Sequence, residues 1–297
     1  MRFKGIIPPV ATIVDDNGNL DKKGQANMID ALIRGGVNGL FFLGSASEAG
    51  HMDDRLRRDV QSFCISHNAG RLPSLVGAIG VSTRQVVEYA KNAEQDGADA
   101  LVLLSPYYTA MSDEALFKHF ATIAESVSIP SILYNLPPTT GNSLTPAMVK
   151  RLALEVPSVI GVKDTIDSLS HIRSLIMAVK PARPDFAIFA GFDEYIAVTL
   201  LLGGDGGVPA SANFAPHLSC GIYQAYLDGD MARMQDCQRK LAETEVLFRM
   251  GPPFYAAMKE AARLAGVEIS TAVLPPAQPV SEDDRRALAV MMKKIQP

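Results

Sequence analysis

Short apolar runs alternate with longer segments of helical periodicity along most of this 297-residue chain. In the segment 83–96, Val86, Ala90 and Ala93 recur at helical spacing, and Gly97 follows the end of the segment. The apolar runs are too short for a helical repeat and are rich in β-branched residues, which is typical of strands buried on both faces. The pattern therefore predicts strands and helices in regular alternation.

The apolar runs predict eight strands, at 6–11, 39–43, 74–79, 100–104, 131–135, 158–163, 186–190 and 205–209. The amphipathic segments predict helices at 22–35, 54–67, 83–96, 112–126, 145–155, 168–180, 193–202 and 214–228. Such an alternation with short connections indicates an all-parallel sheet, and eight strands are the number that closes a barrel. The predicted fold is therefore an α/β fold, a (β/α)8 TIM barrel.

A repeated turn of the form Gly-Xaa-Asx, followed by Ala or Gly, supports this fold. It occurs at 36–39, 97–100 and 204–207, each time where a helix leads into the next strand. An open doubly wound sheet would instead require a glycine-rich phosphate-binding turn after the first strand. Residues 12–16 at that point are Thr-Ile-Val-Asp-Asp, and so we favour the barrel.

The alternation stops after Asp228. The remaining pattern predicts about three helices, at 231–250, 253–265 and 282–295. They are separated by Gly251-Pro252-Pro253 and by a proline-rich loop at 275–279. We therefore divide the chain into a barrel, residues 1–229, and a C-terminal helical subdomain, residues 230–297.

The composition narrows the classes of function. The chain is 47% hydrophobic and 20% charged, as in globular proteins, with a net charge of -4 and a pI near 5.8. This balance gives no basis for binding nucleic acid or an anionic membrane surface. The apolar stretch 6–10 is too short and proline-rich for a signal sequence, and no run is long enough to span a bilayer. We expect neither a nucleic-acid partner nor a membrane partner.

The cysteines and histidines point to neither disulfides nor metal. The chain has an odd number of cysteines, Cys64, Cys220 and Cys237, and they lack a Cys-Xaa-Xaa-Cys spacing. We therefore expect free thiols in a reducing cytoplasm. The five histidines lie on different segments without the spacing of metal ligands. We therefore expect a cytoplasmic localisation and no metal site.

A lysine ends one of the apolar strands. In the run 159–165, Lys163 follows Val-Ile-Gly-Val, where water is scarce and the charged ammonium is disfavoured. A neutral lysine amine is a carbonyl nucleophile, and condensation with a ketone gives a Schiff base that serves as an electron sink. The alternative is a lysine whose head extends to solvent without chemical function.

In a barrel, the residues that carry chemistry lie at the carboxyl ends of the strands and in the loops that follow. Those ends supply an amine, hydroxyl groups and donors for a carboxylate, on the following residues: Lys163, Tyr134, Tyr107, Tyr108, Ser45, Gly191 and Val208. Taken singly, Tyr134 could equally be a core aromatic residue, and Glu48 is better explained as a structural carboxylate bonded to backbone amides.

The segments 44–48 (Gly-Ser-Ala-Ser-Glu), 107–108 (Tyr-Tyr), 134–141 and 161–164 (Gly-Val-Lys-Asp) together resemble the dihydrodipicolinate synthase/N-acetylneuraminate lyase superfamily. The resemblance covers nearly the whole chain, including the helical tail. Within the superfamily, the segments most similar to the bacterial 2-keto-3-deoxygluconate aldolase branch are 163–168, 201–206 and 273–276.

The resemblance implies a class I aldolase on a homotetrameric barrel, with a small keto acid and an aldehyde as its partners and no metal or organic cofactor. It implies that Lys163 is the Schiff-base lysine and that Tyr134 shuttles protons. Ser45 and Tyr108 would complete the proton relay, the latter reaching across from a neighbouring subunit. Ser45 and Ala46 would hold the pyruvate carboxylate, and Gly191 and Val208 would line the imine pocket.

The chain departs from the family pattern at two positions. Ser47 stands where the family usually has glycine, and a side chain there restricts the backbone, so we expect a reshaped turn and an altered carboxylate site. Thr139 stands where true dihydrodipicolinate synthases carry an arginine for a second carboxylate. The loss of a guanidinium argues for a neutral polyhydroxylated aldehyde.

The predicted function is the reversible cleavage of a 2-keto-3-deoxy sugar acid, such as 2-keto-3-deoxygluconate, to pyruvate and an aldehyde. Three alternatives use the same imine: 4-hydroxy-tetrahydrodipicolinate synthase, an N-acetylneuraminate-type lyase, and a keto-acid dehydratase. A non-catalytic paralogue that binds a keto acid is an alternative of a different class, favoured only by the departure at Ser47.

Overall fold

The computed structural model describes residues 3–250 and 253–295. Its sheet has eight strands: β1 (Gly5–Ile6), β2 (Leu40–Phe42), β3 (Ser74–Ala78), β4 (Ala100–Leu104), β5 (Ser131–Asn135), β6 (Val159–Asp164), β7 (Ala187–Ala190) and β8 (Gly206–Gly207). Each lies within or next to a predicted run. The first and last are much shorter than predicted, because Pro8, Pro9 and Pro209 have no backbone N–H to donate to a ladder.

The strands are all parallel, and their order closes a ring. Neighbours in sequence pair from β2 to β8, and β8 pairs with β1. The gap between the first two strands is spanned by a parallel bridge from Pro9 to Phe41, where Val10 N donates to Phe41 O over 2.8 Å. The predicted (β/α)8 TIM barrel is confirmed.

The α-helices surround the sheet and continue beyond it. They are α1 (Lys22–Arg34), α2 (Asp54–Asn68), α3 (Thr83–Asp96), α4 (Asp113–Ala124), α5 (Pro137–Thr140), α6 (Pro146–Glu155), α7 (Leu169–Val179), α8 (Ile196–Leu201), α9 (Pro216–Asp228), α10 (Met231–Ala242), α11 (Glu245–Phe248), α12 (Phe254–Leu264) and α13 (Glu282–Ile295). No helix in the described part of the chain has the length and hydropathy needed to cross a membrane.

The helical tail is confirmed, but the prediction of one helix over 231–250 is wrong. The helix breaks between α10 and α11, where Thr244 Oγ1 donates to Leu241 O over 2.6 Å and so takes up a carbonyl at the helix end. The predicted separator at Gly251 and Pro252 lies outside the described residues. The division of the chain at residue 229 stays a prediction.

The repeated Gly-Xaa-Asx turns have a common structural role. The side-chain oxygens of Asn38, Asp99 and Asp205 accept the backbone N–H of residues in three different strands, Ile6, Ser74 and Ile188, over 2.8–3.0 Å. Each turn therefore fixes the start of its own strand against a neighbouring strand. A short side chain with an acceptor oxygen is required for this, which explains why Asn or Asp recurs there.

Alternate residues of each strand point to the barrel interior or to the helices. The interior holds a separate apolar cluster that includes Phe41, Ile132, Tyr134, Phe189 and Val208, whereas Leu133 and Ile188 pack outward under the helices. Tyr134 is therefore an inward residue near the carboxyl end of β5. The inward side chains near the carboxyl ends of the strands therefore place the candidate site at that end of the barrel interior.

Candidate active site

A cavity of about 230 Å³ opens at the carboxyl ends of the strands. Six residues predicted for catalysis or substrate binding line it together: Ser45, Ala46, Tyr134, Lys163, Gly191 and Val208. The remaining lining residues are Pro9, Leu136, Thr139, Thr165, Phe192, Asp193, Glu194, Ala210, Phe248 and Phe254. The structure therefore brings the predicted set to one place, with the exception of Tyr108.

Lys163 lies near the end of β6 and is 4% exposed. Its Nζ lies 4.0 Å from the centre of the Tyr134 ring and 5.2 Å from that of Phe41. None of the ion pairs found among residues 3–250 and 253–295 involves this lysine. Lys163 thus places its side-chain nitrogen at the cavity without a carboxylate partner among the described residues. An amine in this position can attack the carbonyl group of a bound ketone.

Tyr134 presents its hydroxyl to Ser45. The two oxygens lie 3.0 Å apart, and either can donate. The ring is held edge-on by Phe41, with 6.3 Å between the ring centres. Tyr134 is thus both a core aromatic residue and a hydroxyl in the cavity, so the two interpretations of this tyrosine are compatible. A pair of bonded hydroxyls beside an amine can pass a proton to or from a group bound there.

The turn after β2 forms a 3₁₀ helix at Ser45–Ser47. The first amides of such a turn have no partner within it, and the N–H groups of Ser45 and Ala46, which both line the cavity, have no backbone partner among the described residues. The left-handed residues flank the turn: Leu43 has φ 57° and Glu48 has φ 61°. Non-glycine residues adopt this conformation only when packing holds them there.

Ser47 does not strain the turn, and the expectation that it would is wrong. Its φ is not positive, and its hydroxyl accepts from Gly44 N over 3.1 Å and donates to Val10 O over 2.5 Å. The serine therefore ties the turn to the loop after β1. Serine adopts this 3₁₀ conformation without a left-handed backbone. The expected alteration of the carboxylate site stays a prediction.

Gly191 faces Thr165 across the cavity wall. A Cβ at Gly191 would collide with Thr165 Oγ1, so glycine permits the close approach of these two segments. The Thr165 hydroxyl is buried without a partner among the residues that the structure describes. Sequence reasoning did not identify it, although its position two residues after Lys163 was a usable signal.

Asp193 and Glu194 follow β7 and also line the cavity, but the sequence pattern predicted no role for them. Asp193 accepts from Ser211 N over 3.1 Å. Burial raises the pKa of Asp193 to about 6, against the opposing effect of its hydrogen bond to Ser211. Across the described part of the chain, no three His, Cys, Asp or Glu side chains are grouped as metal ligands.

Two aromatic residues of the helical tail line the cavity. Phe248 ends α11 and Phe254 begins α12, and their ring centres are 5.3 Å apart. The tail thus contributes directly to the cavity wall. No strand–helix pattern could have indicated this, because these residues follow the last strand by about forty positions.

Tyr108 lies outside the cavity of its own chain. It is 98% exposed with φ 79°, and it belongs to a loop held by Asn142. Asn142 Nδ2 donates to Pro106 O over 2.7 Å and to Thr109 O over 2.9 Å, and its Oδ1 accepts from Met111 N over 2.7 Å. A buried amide therefore sets the direction in which this exposed tyrosine projects.

A buried polar chain lies next to the reactive residues. Asn135 Nδ2 donates to Asp164 Oδ1 over 2.7 Å, and His171 Nδ1 lies 2.9 Å from Asp164 Oδ2. The hydrogen bond to Asp164 raises the pKa of His171 above its ordinary value of 6.5. Asn135 and Asp164 directly follow Tyr134 and Lys163 and are register partners. The hydrogen bonds of these polar side chains therefore fix the relative position of the two reactive side chains.

The chain is similar to known proteins over almost its whole length. The model of the Dihydrodipicolinate synthetase family matches residues 2–295. YagE of Escherichia coli K12, a proposed 2-dehydro-3-deoxy-D-gluconate aldolase, is 43% identical over 99% of this chain and 97% of its own. YjhH of the same organism, a proposed 2-dehydro-3-deoxy-D-pentonate aldolase, is 40% identical over 98% and 97%. The crystal structure of YagE in complex with pyruvate superposes with a TM-score of 0.97, covering 99% of this chain and 98% of YagE.

Proposed function

The chain belongs to the dihydrodipicolinate synthetase family, and on that premise we propose that it is a lyase, a class I aldolase. It reversibly cleaves a 2-keto-3-deoxy sugar acid, such as 2-keto-3-deoxygluconate, to pyruvate and an aldehyde. The observation that carries the proposal is the buried Lys163 amine, without an ion-pair partner in the described residues, beside the bonded hydroxyls of Tyr134 and Ser45. The pyruvate complex of YagE and the activities proposed for YagE and YjhH support it.

In the proposed reaction, the imine formed on Lys163 is the electron sink. The amine of Lys163 attacks the C2 ketone, and Tyr134 gives its proton to the departing hydroxyl, so that loss of water leaves an iminium ion and a Tyr134 phenolate. The C3–C4 bond then breaks, with its electron pair moving toward the iminium nitrogen, while the Tyr134 oxygen takes the proton of the C4 hydroxyl. The aldehyde leaves, C3 of the enamine is protonated, and hydrolysis releases pyruvate. No organic cofactor is required.

The amides and hydroxyl of the turn after β2 receive the carboxylate in this proposal. Ser45 and Ala46 line the cavity at the start of the 3₁₀ helix, where backbone N–H groups favour an anion. Gly191 and Val208 line the wall beside Lys163. With its carboxylate held at the turn, a keto acid presents its ketone to the amine.

The cavity favours a neutral aldehyde. Among its described lining residues Lys163 is the one basic side chain, and the other polar side chains include Thr139, Thr165, Asp193 and Glu194. Hydroxyls and carboxylates bond to the hydroxyl groups of a sugar chain, whereas they provide no counter-charge for a phosphate or a second carboxylate. The proposed aldehyde is therefore polyhydroxylated and uncharged.

The proposal includes a cytoplasmic homotetramer in which Tyr108 enters the cavity of a neighbouring subunit. Its exposure, and the Asn142 hydrogen bonds that hold its loop, support a side chain directed away from its own chain. The free thiols of Cys64, Cys220 and Cys237 suit a reducing compartment.

The test is trapping with pyruvate and borohydride, followed by intact-mass measurement and peptide mapping. We expect one reduced adduct on Lys163 and none in Lys163→Ala, followed by aldol products with neutral hydroxylated aldehydes in the synthesis direction. A folded wild-type protein that forms no adduct would refute the imine mechanism. An adduct together with a preference for aspartate semialdehyde would retain the mechanism and overturn the proposed substrate.

A further inference from the structure

The residue that ends the candidate carboxylate-binding turn is tied to the helical tail. Glu48 adopts the left-handed conformation directly after Ser47, and its side chain is completely buried. One carboxylate oxygen accepts the backbone N–H of Leu274 over 2.7 Å. The other forms an ion pair with Lys259 of α12. The structural role expected for Glu48 is thus confirmed, but one of its two partners is a lysine that the sequence did not indicate.

Lys259 is completely buried as well. Its Nζ donates to Ala272 O over 2.7 Å in addition to pairing with Glu48. Burial lowers the pKa of this amine, and the neighbouring Glu48 carboxylate opposes that change. The Glu48 carboxylate and its partner Lys259 therefore hold two parts of the tail, α12 and the segment 272–274, against the end of the turn.

A second contact joins α12 to the same loop. Tyr255 Oη lies 2.9 Å from His51 Nδ1, at the end of the 3₁₀ turn Ala49–His51. The tail therefore holds the loop from Glu48 to His51 at both ends. Because a buried charge that loses its partner is strongly unfavourable, Glu48 can keep this place only while Lys259 remains opposite.

We infer that Glu48 and Lys259 are positioning residues for keto-acid binding, through which the helical tail sets the place of Ser45 and Ala46. The inference rests on the proposed function. Glu48 lies only three residues after Ser45, so its position affects the turn. Its left-handed backbone requires an external restraint, and α12 and Leu274 provide that restraint. A small displacement of a substrate-positioning group suffices to weaken binding and reaction strongly.

The test is the pyruvate concentration that gives half-maximal borohydride trapping. In Lys259→Met, which leaves the Glu48 carboxylate buried without its cation, we expect this concentration to rise about tenfold, with a smaller fall in the maximal trapping rate. In Glu48→Gln the remaining lysine can lose its proton, so we expect a rise of about threefold. In the double variant Glu48→Gln/Lys259→Met no charge is buried and the amide oxygen can still accept from Leu274 N. We therefore expect half-saturation within about threefold of the wild type.

Lys23→Met is the matched control. Lys23 pairs with Glu268 over 2.8 Å and also joins the barrel to the tail, but the two side chains are 75% and 79% exposed. An exposed ion pair contributes little to stability, so Lys23→Met should show the half-saturation of the wild type. Melting temperatures are measured for every variant, because a residue with only a structural role would lower the melting temperature without changing half-saturation below it.

The outcomes separate the inference from the proposed function. If the wild type forms no Lys163 adduct, both fail. If the wild type forms it and Glu48→Gln and Lys259→Met keep wild-type half-saturation, the proposed function stands and the positioning role is wrong. A double variant as impaired as Lys259→Met would overturn the charge-pairing explanation. If Lys259→Met does not fold, Glu48→Gln and the double variant decide.

Discussion

The α-carbons of Tyr134 and Lys163 are register partners on adjacent parallel strands, and the lysine Nζ lies 4.0 Å from the centre of the tyrosine ring. Side chains at paired positions of a barrel project in the same direction, here into the interior. The amine and the phenol therefore face the same small volume, while Ser45 bonds to the phenol from the turn after β2. This arrangement allows one group to hold the substrate covalently while the other moves its proton.

Replacing Tyr134 with phenylalanine tests the proton transfer. The ring would keep its packing against Phe41, but the hydroxyl bonded to Ser45 would be lost. We expect steady-state cleavage of 2-keto-3-deoxygluconate to slow by about 100-fold or more, the usual loss when acid–base catalysis is removed. Normal turnover by Tyr134→Phe would show that another group moves the proton. Circular dichroism and the melting temperature serve as controls for folding.

Thr139 tests the preference for a neutral aldehyde. It lines the cavity, in which Lys163 is the one basic side chain among the described residues. An arginine at this position would offer a bidentate donor to a second carboxylate. In the synthesis direction we expect Thr139→Arg to shift the ratio of kcat/KM for a carboxylated aldehyde over glyceraldehyde by about tenfold or more. Thr139→Val, which adds no charge, should leave that ratio nearly unchanged, and an equal ratio in all three proteins would contradict the prediction.

Asn142 tests the role of the exposed Tyr108 loop. Its side chain bonds to Pro106, Thr109 and Met111 and so holds Tyr108 at φ 79°. Asn142→Leu removes these bonds, and we expect a loss of kcat at least as large as that of Tyr108→Phe. If Asn142 acts through Tyr108, the double variant should be no slower than Asn142→Leu alone. Losses that multiply in the double variant would mean that Asn142 acts on something else.

The buried carboxyl of Asp193 predicts a pH-dependent stability. Its pKa is raised from 3.8 to about 6 in the folded state, chiefly by burial. The folded protein therefore retains this proton more tightly than the unfolded chain, and the contribution of Asp193 to the free energy of unfolding falls as the pH rises from about 4 to about 6. Because Asp193→Asn cannot ionise, its stability relative to the wild type should increase by about 3 kcal/mol over that range.

Urea unfolding between pH 4 and 7, at one protein concentration, measures this difference. The matched variant is Asp185→Asn, since Asp185 is mainly exposed and pairs with Arg183. Parallel stability profiles for Asp193→Asn and the wild type would show that Asp193 ionises normally in the folded protein.

The sequence by itself determined the barrel and the group of residues around Lys163. Strand and helix periodicity is a local property, and in a parallel barrel the end of each strand is known once the strand is recognised. That is why Lys163, Tyr134 and Ser45 could be assigned to one face before their distances were known. The same reasoning erred at Ser47, because a family pattern indicates which residue is usual but not which backbone conformation the turn adopts.

Only the tertiary structure decided which distant groups meet. The carboxylate of Glu48 accepts from a backbone amide 226 positions away, and its cation lies on a helix of the tail. Phe248 reaches the cavity from the tail, and the Thr165 hydroxyl has no hydrogen-bond partner among the described residues that surround it. Burial and pairing depend on the packing of segments remote in sequence, and a periodic pattern carries no information about which remote segments pack together.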